Sequence, residues 1–188
     1  MHESRGLGDV YKRQAENGLT DHFRSLLHGV WTDLVTLDDR VRDLDRGIQK
    51  LANSNEVTQR LQQLRGVGPL VATALFATVG DARQYHRGRQ MAAAIGLTPR
   101  QHSSGGKDRL LGISKRGDVY LRSMLIHGAR AVVSQAKQRD DRLSRWATGI
   151  AQRRHPSVAA IALANKTVRM AWAMLRNNTD YDPNFAMK

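Results

Sequence analysis

The sequence predicts an all-α protein: a long coiled-coil helix followed by a compact helical domain that contains a helix-hairpin-helix. Three observations carry this expectation. Apolar residues recur at alternating steps of four and three between residues 23 and 51, the period of a helical seam. Ala- and Leu-rich segments, good helix formers, fill most of the remainder. Only 4 Pro, 3 Phe, 3 Trp and 4 Tyr occur in 188 residues, which argues against a β-sandwich.

Composition narrows the function. There are 30 Lys and Arg against 17 Asp and Glu, a formal net charge of +13. Such an excess suits a densely anionic partner, and nucleic acid comes first. Cysteine is absent, which excludes a disulfide scaffold, thiolate zinc sites and cysteine nucleophiles. The mean hydropathy is −0.51 and no run approaches the roughly 20 apolar residues of a membrane span, so no membrane partner is expected. No apolar signal core opens the chain, and a cytoplasmic location is expected. The charge is uneven. Residues 15–63 carry 6 basic and 8 acidic side chains, whereas residues 64–188 carry 21 and 7. The basic function is therefore expected beyond residue 63.

Residues 1–14 read as foreign to the fold. Asp9-Val10-Tyr11-Lys12-Arg13-Gln14 back-translates to a stretch that resembles the mosaic-end adapter of transposase-based sequencing kits. These residues are set aside as a scar, and the native N-terminus is expected to be missing.

Residues 15–57 are expected to hold one coiled-coil helix. Phe23, Leu27, Val30, Leu34, Leu37, Val41, Leu44, Ile48 and Leu51 form its seam, with Asp and Arg between them as a solvated face. Thr20 is the expected N-cap and Asn53-Ser54-Asn55 the stop. One helix lying on its own domain is the plainer alternative to an antiparallel hairpin or an intermolecular coiled coil.

Residues 58–176 are expected to form the helical domain. A short helix from Glu56 ends near Arg65, and Pro69 starts the next, which runs to Val79 with Leu70, Ala74, Leu75 and Val79 inward. Arg65, Gly66, Val67 and Gly68 make the turn between them. Glycine lets the backbone approach a phosphate, and free N–H groups at a helix start hold the anion. The basic stretch from Arg83 to Arg122 carries a net +7 in 40 residues. Within it, Gln90–Ile95 reads as a helix closed by Gly96, and Thr98-Pro99-Arg100 opens a loop. Further helices are expected at about 118–137, 140–153 and 156–176, with Val119 and Val158 among their inward residues. Residues 177–188 read as a tail.

Several motifs together become distinctive. They are Leu64-Arg65-Gly66-Val67-Gly68-Pro69, Gly88-Arg89-Gln90, Gly96-Leu97-Thr98-Pro99-Arg100-Gln101-His102-Ser103-Ser104-Gly105-Gly106-Lys107, Gly112-Ile113-Ser114-Lys115-Arg116-Gly117 and His127-Gly128-Ala129-Arg130. The string resembles the C-terminal domain of the insertion-sequence 110/116/902 transposases, closely over residues 58–150. The resemblance implies an RNA-guided DNA recombinase. It implies DNA and a guide RNA as partners and a serine nucleophile, which falls on Ser104. It also implies Mg²⁺ bound by an acidic N-terminal nuclease-like domain that this sequence lacks, so no cofactor is expected in this chain and the chain alone is expected to be inactive.

The local residues suit that role. A serine attacking a phosphodiester needs access and charge stabilisation. Gly105 and Gly106 open the loop, and Arg100, Lys107, Arg109, Lys115 and Arg116 surround it with positive charge. His102 reads as a phosphate-binding or solvated histidine rather than a general base. Tyr120 is expected inside a helix with its ring buried, which leaves serine as the exposed nucleophile. The alternative function is a non-catalytic helix-hairpin-helix module that binds DNA or RNA.

Overall fold

The computed structural model describes residues 18–101 and 110–183. The chain divides into two compact units, one up to Arg46 and one from Gly47 onward. Among the described residues the fold is all-α apart from one pair of short strands.

Helix α1 runs Asp21–Ser54, 34 residues without a break. Thr20 Oγ1 accepts the Phe23 N–H at its start, and Asp21 complements the positive end of the helix. Phe23, Val30, Leu34, Leu37, Val41, Leu44 and Leu51 are all exposed, and Leu27 and Ile48 are half-buried. The chain turns at Asn55, whose side chain accepts from Val57 N and Thr58 N and caps α2, Glu56–Gln62. The Thr58 hydroxyl donates to the Ala52 carbonyl at 2.7 Å and ties the two helices across the turn.

The remaining helices are α3 Pro69–Val79, α4 Gly88–Ala94, α5 Val119–Gln135, α6 Arg142–Arg153 and α7 Pro156–Asn177. Asp118 caps α5 through Leu121 N, and Asp141 caps α6 through Ser144 N. Asn178, in the left-handed conformation at φ 54°, ends α7. Strands β1, Pro99–Gln101, and β2, Leu110–Ile113, pair antiparallel with Pro99 opposite Ile113 and Gln101 opposite Leu110. The sequence predicts a loop here. Three and four residues are too few to display a period-two pattern, and their pairing bridges a gap in sequence that no local signal spans.

The core lies within the unit from Gly47. Helix α7 is its centre and packs against α2, α4, α5 and α6. Leu61, Leu64, Leu75, Leu97, Leu121 and Leu163 are at most 1% exposed, and burial of each contributes about 1.5–3 kcal/mol. Ala159, Ala160, Ala164 and Ala171 on α7 are buried as well, so neighbouring helices come close to its backbone. By length and hydropathy α7 could cross a membrane, yet half of its most apolar window is buried among these helices.

Three inward assignments are corrected. Leu70, Val119 and Val158 are exposed at 41%, 64% and 46%. Each sits in the first turn of its helix, where the stripe facing the core begins one or two residues later: Val71 and Ala72 in α3, Leu121 in α5, Ala159 and Ala160 in α7. Residues 178–181, read from sequence as plain tail, return to α2. Asp180 Oδ1 accepts from Arg60 Nε at 3.3 Å and Gln63 Nε2 at 3.1 Å, and the Tyr181 N–H donates to Gln63 Oε1 at 2.8 Å.

Candidate nucleic-acid interface

The glycine turn between α2 and α3 is built against α5. Gly66 has φ +81°, a conformation that favours glycine. A Cβ on Gly66 would lie 2.8 Å from the Gly128 carbonyl oxygen, and one on Gly128 would lie 2.0 Å from the Gly66 oxygen. The two glycines thus touch backbone to backbone, and Val67 is buried beside them. Gly68 is different. It is exposed, a Cβ there would meet nothing, and no side chain caps α3 behind it. The first-turn N–H groups of α3 accordingly lack a capping acceptor.

Arg65 is held from the side. Its Nη1 donates to Asp141 Oδ2 at 2.6 Å and to Ser144 Oγ at 2.9 Å. Burial alone would raise the Asp141 carboxyl, but the Ser144 N–H and hydroxyl and the Arg65 charge outweigh it and bring it down to about 2. Asp141 therefore stays ionised as both helix cap and partner of Arg65. The sequence shows Asp141 as a helix-start residue but carries no sign of its pairing with Arg65, 76 residues away.

A second basic segment is mounted on the same helix. Gly96 and Gly117 have φ +80° and +83°, and a Cβ on either would fall 2.0 Å from Arg116 O or 1.8 Å from Ala94 O. The chain before β1 therefore crosses the chain after β2 at contact distance. Arg122 locks that crossing. It is 7% exposed, and its Nη1 donates to Ile95 O and Arg116 O at 3.1 Å each and to Asp118 O at 3.4 Å. Arg122, counted from sequence with the basic stretch, is thus a buried brace; its place near the start of the stripe of α5 was the available signal. Arg100 on β1, and Lys115 and Arg116 after β2, are exposed. Lys115 itself has φ 57°.

Arg122 and Gly128 are six residues apart on α5, about 9 Å of helix rise. One helix thereby positions both the Gly66–Gly68 turn and the foot of the β1–β2 pair. Ser104, Lys107, Arg109 and His102 lie outside the described residues, in the segment that β1 and β2 flank. Tyr120 is a correction: it is 61% exposed, not buried. The inward stripe of α5 runs Leu121, Leu125, Ala129 and Val132, and Tyr120 sits about 100° off it. Among the described residues no group of three or more His, Asp or Glu side chains could hold a metal ion.

A basic helical unit that mounts an uncapped helix start and a strand-flanked segment on one helix is suited to meeting a phosphate backbone. Comparison with known proteins agrees in class. Residues 58–145 match the family model described as the transposase IS116/IS110/IS902 family. The chain is 51% identical over 158 residues to a probable family 20 transposase of Pseudomonas aeruginosa, covering 84% of this chain and 47% of that protein. It is 45% identical to the transposase for insertion sequence element IS1111A of Coxiella burnetii, over 87% of this chain and 45% of that one. It is 38% identical to the transposase for insertion sequence element IS1328 of Yersinia enterocolitica, over 93% and 53%. The chain belongs to the IS116/IS110/IS902 transposase family. It spans about half the length of the curated relatives it matches.

Proposed function

We propose that this chain is the part of a DNA transposase that grips DNA and supplies the serine nucleophile for strand cleavage and rejoining. The observation that carries the reading is the family match over residues 58–145, which includes the glycine turn, both strands and Ser104. DNA is the partner that the family supports, with a guide RNA as the second nucleic acid and the nucleoid as the place of action. Gly68, exposed at the uncapped start of α3, offers backbone to a phosphate, with Gly66 and Val67 seating the turn on α5, while Arg100, Lys107, Arg109, Lys115 and Arg116 supply positive charge around the reacting segment. Arg65, already held by Asp141, contributes with whatever donors remain on its guanidinium.

In the chemical step the Ser104 Oγ–H gives its proton to a base and Oγ attacks phosphorus. The Oγ–P bond forms, one backbone P–O bond breaks, and the leaving oxygen takes up a proton. Attack by a strand-end hydroxyl on the phosphoserine reverses the step and rejoins DNA. A free serine hydroxyl is scarcely ionised at neutral pH and needs activation. The acidic residues that bind Mg²⁺ in the resemblance have no counterpart among the described residues, so no step is routed through the metal.

The test is covalent trapping. The isolated chain should bind DNA and leave it uncut. A full-length protein carrying this segment, assembled with Mg²⁺ and its RNA, should form a denaturation-resistant DNA adduct. Ser104→Ala should abolish the adduct and keep binding, and Ser103→Ala should leave most of it. Because Tyr120 is exposed, Tyr120→Phe belongs in the set: loss of the adduct there, with retention in Ser104→Ala, would transfer the nucleophile to tyrosine. Absence of any adduct would favour the non-catalytic DNA- or RNA-binding module.

A further inference from the structure

The unit from Gly47 contains a cleft of about 880 Å³, lined in part by Gly88 and Arg89 of the Gly88-Arg89-Gln90 motif. Its walls come from the start of α4, the C-terminal half of α7 and residues 179–182. Gly88 creates it. That residue is buried, and a Cβ there would meet Trp172 Cε3 at 3.1 Å and Arg169 Cα at 3.2 Å. Helix α4 can therefore touch the α7 backbone, and the residues on either side of the contact, Arg87 and Arg89, line the same cleft as Lys166 and Arg169.

These four cations have no carboxylate within ion-pair distance among the described residues. The carboxylates Asp180 and Asp182 line the cleft as well, against four cations, and Asp180 is bonded to Arg60. Burial, then the neighbouring charges of Arg169 and Arg142, push the Lys166 ammonium below its ordinary range. Lys166 Nζ lies 5.0 Å from the centre of the Trp146 ring, which supplies part of its stabilisation. Like charges gathered in a concavity repel one another, and an anion relieves that cost. Met170, Met174, Trp172 and Tyr181 give the lining an apolar and aromatic part, and Asn177 and Thr179 add neutral polar groups. Cations beside an apolar floor fit a phosphate joined to a base. A duplex backbone is too wide to enter such a recess, whereas an unpaired strand can.

We propose that the cleft between α4, α7 and residues 179–182 binds one or two nucleotides of a single-stranded nucleic acid. The phosphate lies on Arg87, Arg89, Lys166 and Arg169, and the base lies against the Met170–Met174 side and Tyr181. The proposal rests on the reading of the chain as a nucleic-acid-binding transposase segment, and it adds a site distinct from the Gly66–Gly68 turn and the β1–β2 pair. DNA and RNA single strands share the required chemistry.

Binding of labelled oligothymidylate, oligouridylate and a mixed-sequence duplex to the chain tests it. Arg87→Gln with Arg89→Gln should weaken the single strands by about tenfold or more, the scale of one lost charge-assisted contact. The log–log salt slope for single strands should become shallower by about 1.4, from two contacts at about 0.7 each. The control, Lys137→Gln with Arg139→Gln, removes the same charge from an exposed surface and should change single-strand binding less than about twofold. An oligothymidylate bearing 4-thiothymidine should crosslink to peptides spanning residues 166–182. A stronger response of oligothymidylate assigns the cleft to DNA, and of oligouridylate to RNA. Equal losses from the two charge-removing pairs, or crosslinks confined to other peptides, would overturn the cleft. So would free thymidylate competing as well as the oligomer. Duplex binding without single-strand binding rejects the cleft alone. Failure to bind any of the three rejects the nucleic-acid reading itself.

Discussion

Gly128 meets Gly66 through bare backbone, and the contact fixes where the α2–α3 turn stands on α5. A methyl group at residue 128 would lie 2.0 Å from a carbonyl oxygen that belongs to a turn, not to the flexible end of a side chain. Residue 66 or the α5 backbone would have to shift. Gly128→Ala should therefore cost about 2–3 kcal/mol, the scale of overpacking in a close-packed interior, and lower Tm measured by circular dichroism. Gly68→Ala is the contrast. Its Cβ meets nothing and its φ of −88° is open to any residue, so stability should stay within about 0.5 kcal/mol of the parent. Comparable losses in both variants would mean that the Gly66–Gly128 contact is not what orders the turn. The sequence displays Gly66 and Gly68 as an equivalent pair. Their roles diverge only because one faces α5 and the other faces solvent.

At the scale of elements, helix starts were legible because their chemistry is local. Asn55, Asp118, Asp141 and Pro156 each mark the helix that follows within a few residues. The strand pair, the Arg65–Asp141 bond and the return of residues 178–181 to α2 were not legible, since each joins residues that no periodicity connects. The α1 seam is a different case, fully visible in sequence and exposed in this chain except at half-buried Leu27 and Ile48. From Phe23 to Leu51 it extends about 42 Å along the helix. The regular four-three spacing suits a second copy of the same seam. We propose homo-oligomerisation through α1. Leu34→Asp with Val41→Asp places charge where a paired seam would bury it, which strongly opposes association. Light scattering should show the parent as a multiple of its 21.0 kDa chain mass and the double variant as a smaller species. Unchanged mass with unchanged helicity would reduce the seam to a surface stripe.

At the scale of the whole molecule, the charge is segregated along the chain. Residues 15–63 carry 6 basic and 8 acidic side chains, and residues 64–188 carry 21 and 7. Some of the positive charge has internal work: Arg122 braces carbonyls, Arg60 and Arg65 meet Asp180 and Asp141, and Arg176 lies 5.4 Å from the centre of the Trp172 ring. Among the described residues Arg100, Lys115 and Arg116 have no carboxylate within ion-pair distance, and they stay exposed beside the β1–β2 pair. Duplex binding by residues 58–188 should therefore be governed by phosphate neutralisation, with little dependence on base sequence. If about five phosphates are engaged, log K should fall with log[salt] at a slope near about −4.5, because each neutralised phosphate releases about 0.9 of a counterion. Arg100→Gln, Lys115→Gln and Arg116→Gln together should bring the slope toward about −1.8 and weaken unrelated duplexes equally. A residue that read bases would instead weaken one sequence far more than another. A slope unchanged by the triple substitution would move the duplex surface away from the β1–β2 pair, and an affinity independent of salt would remove electrostatics as the basis of binding.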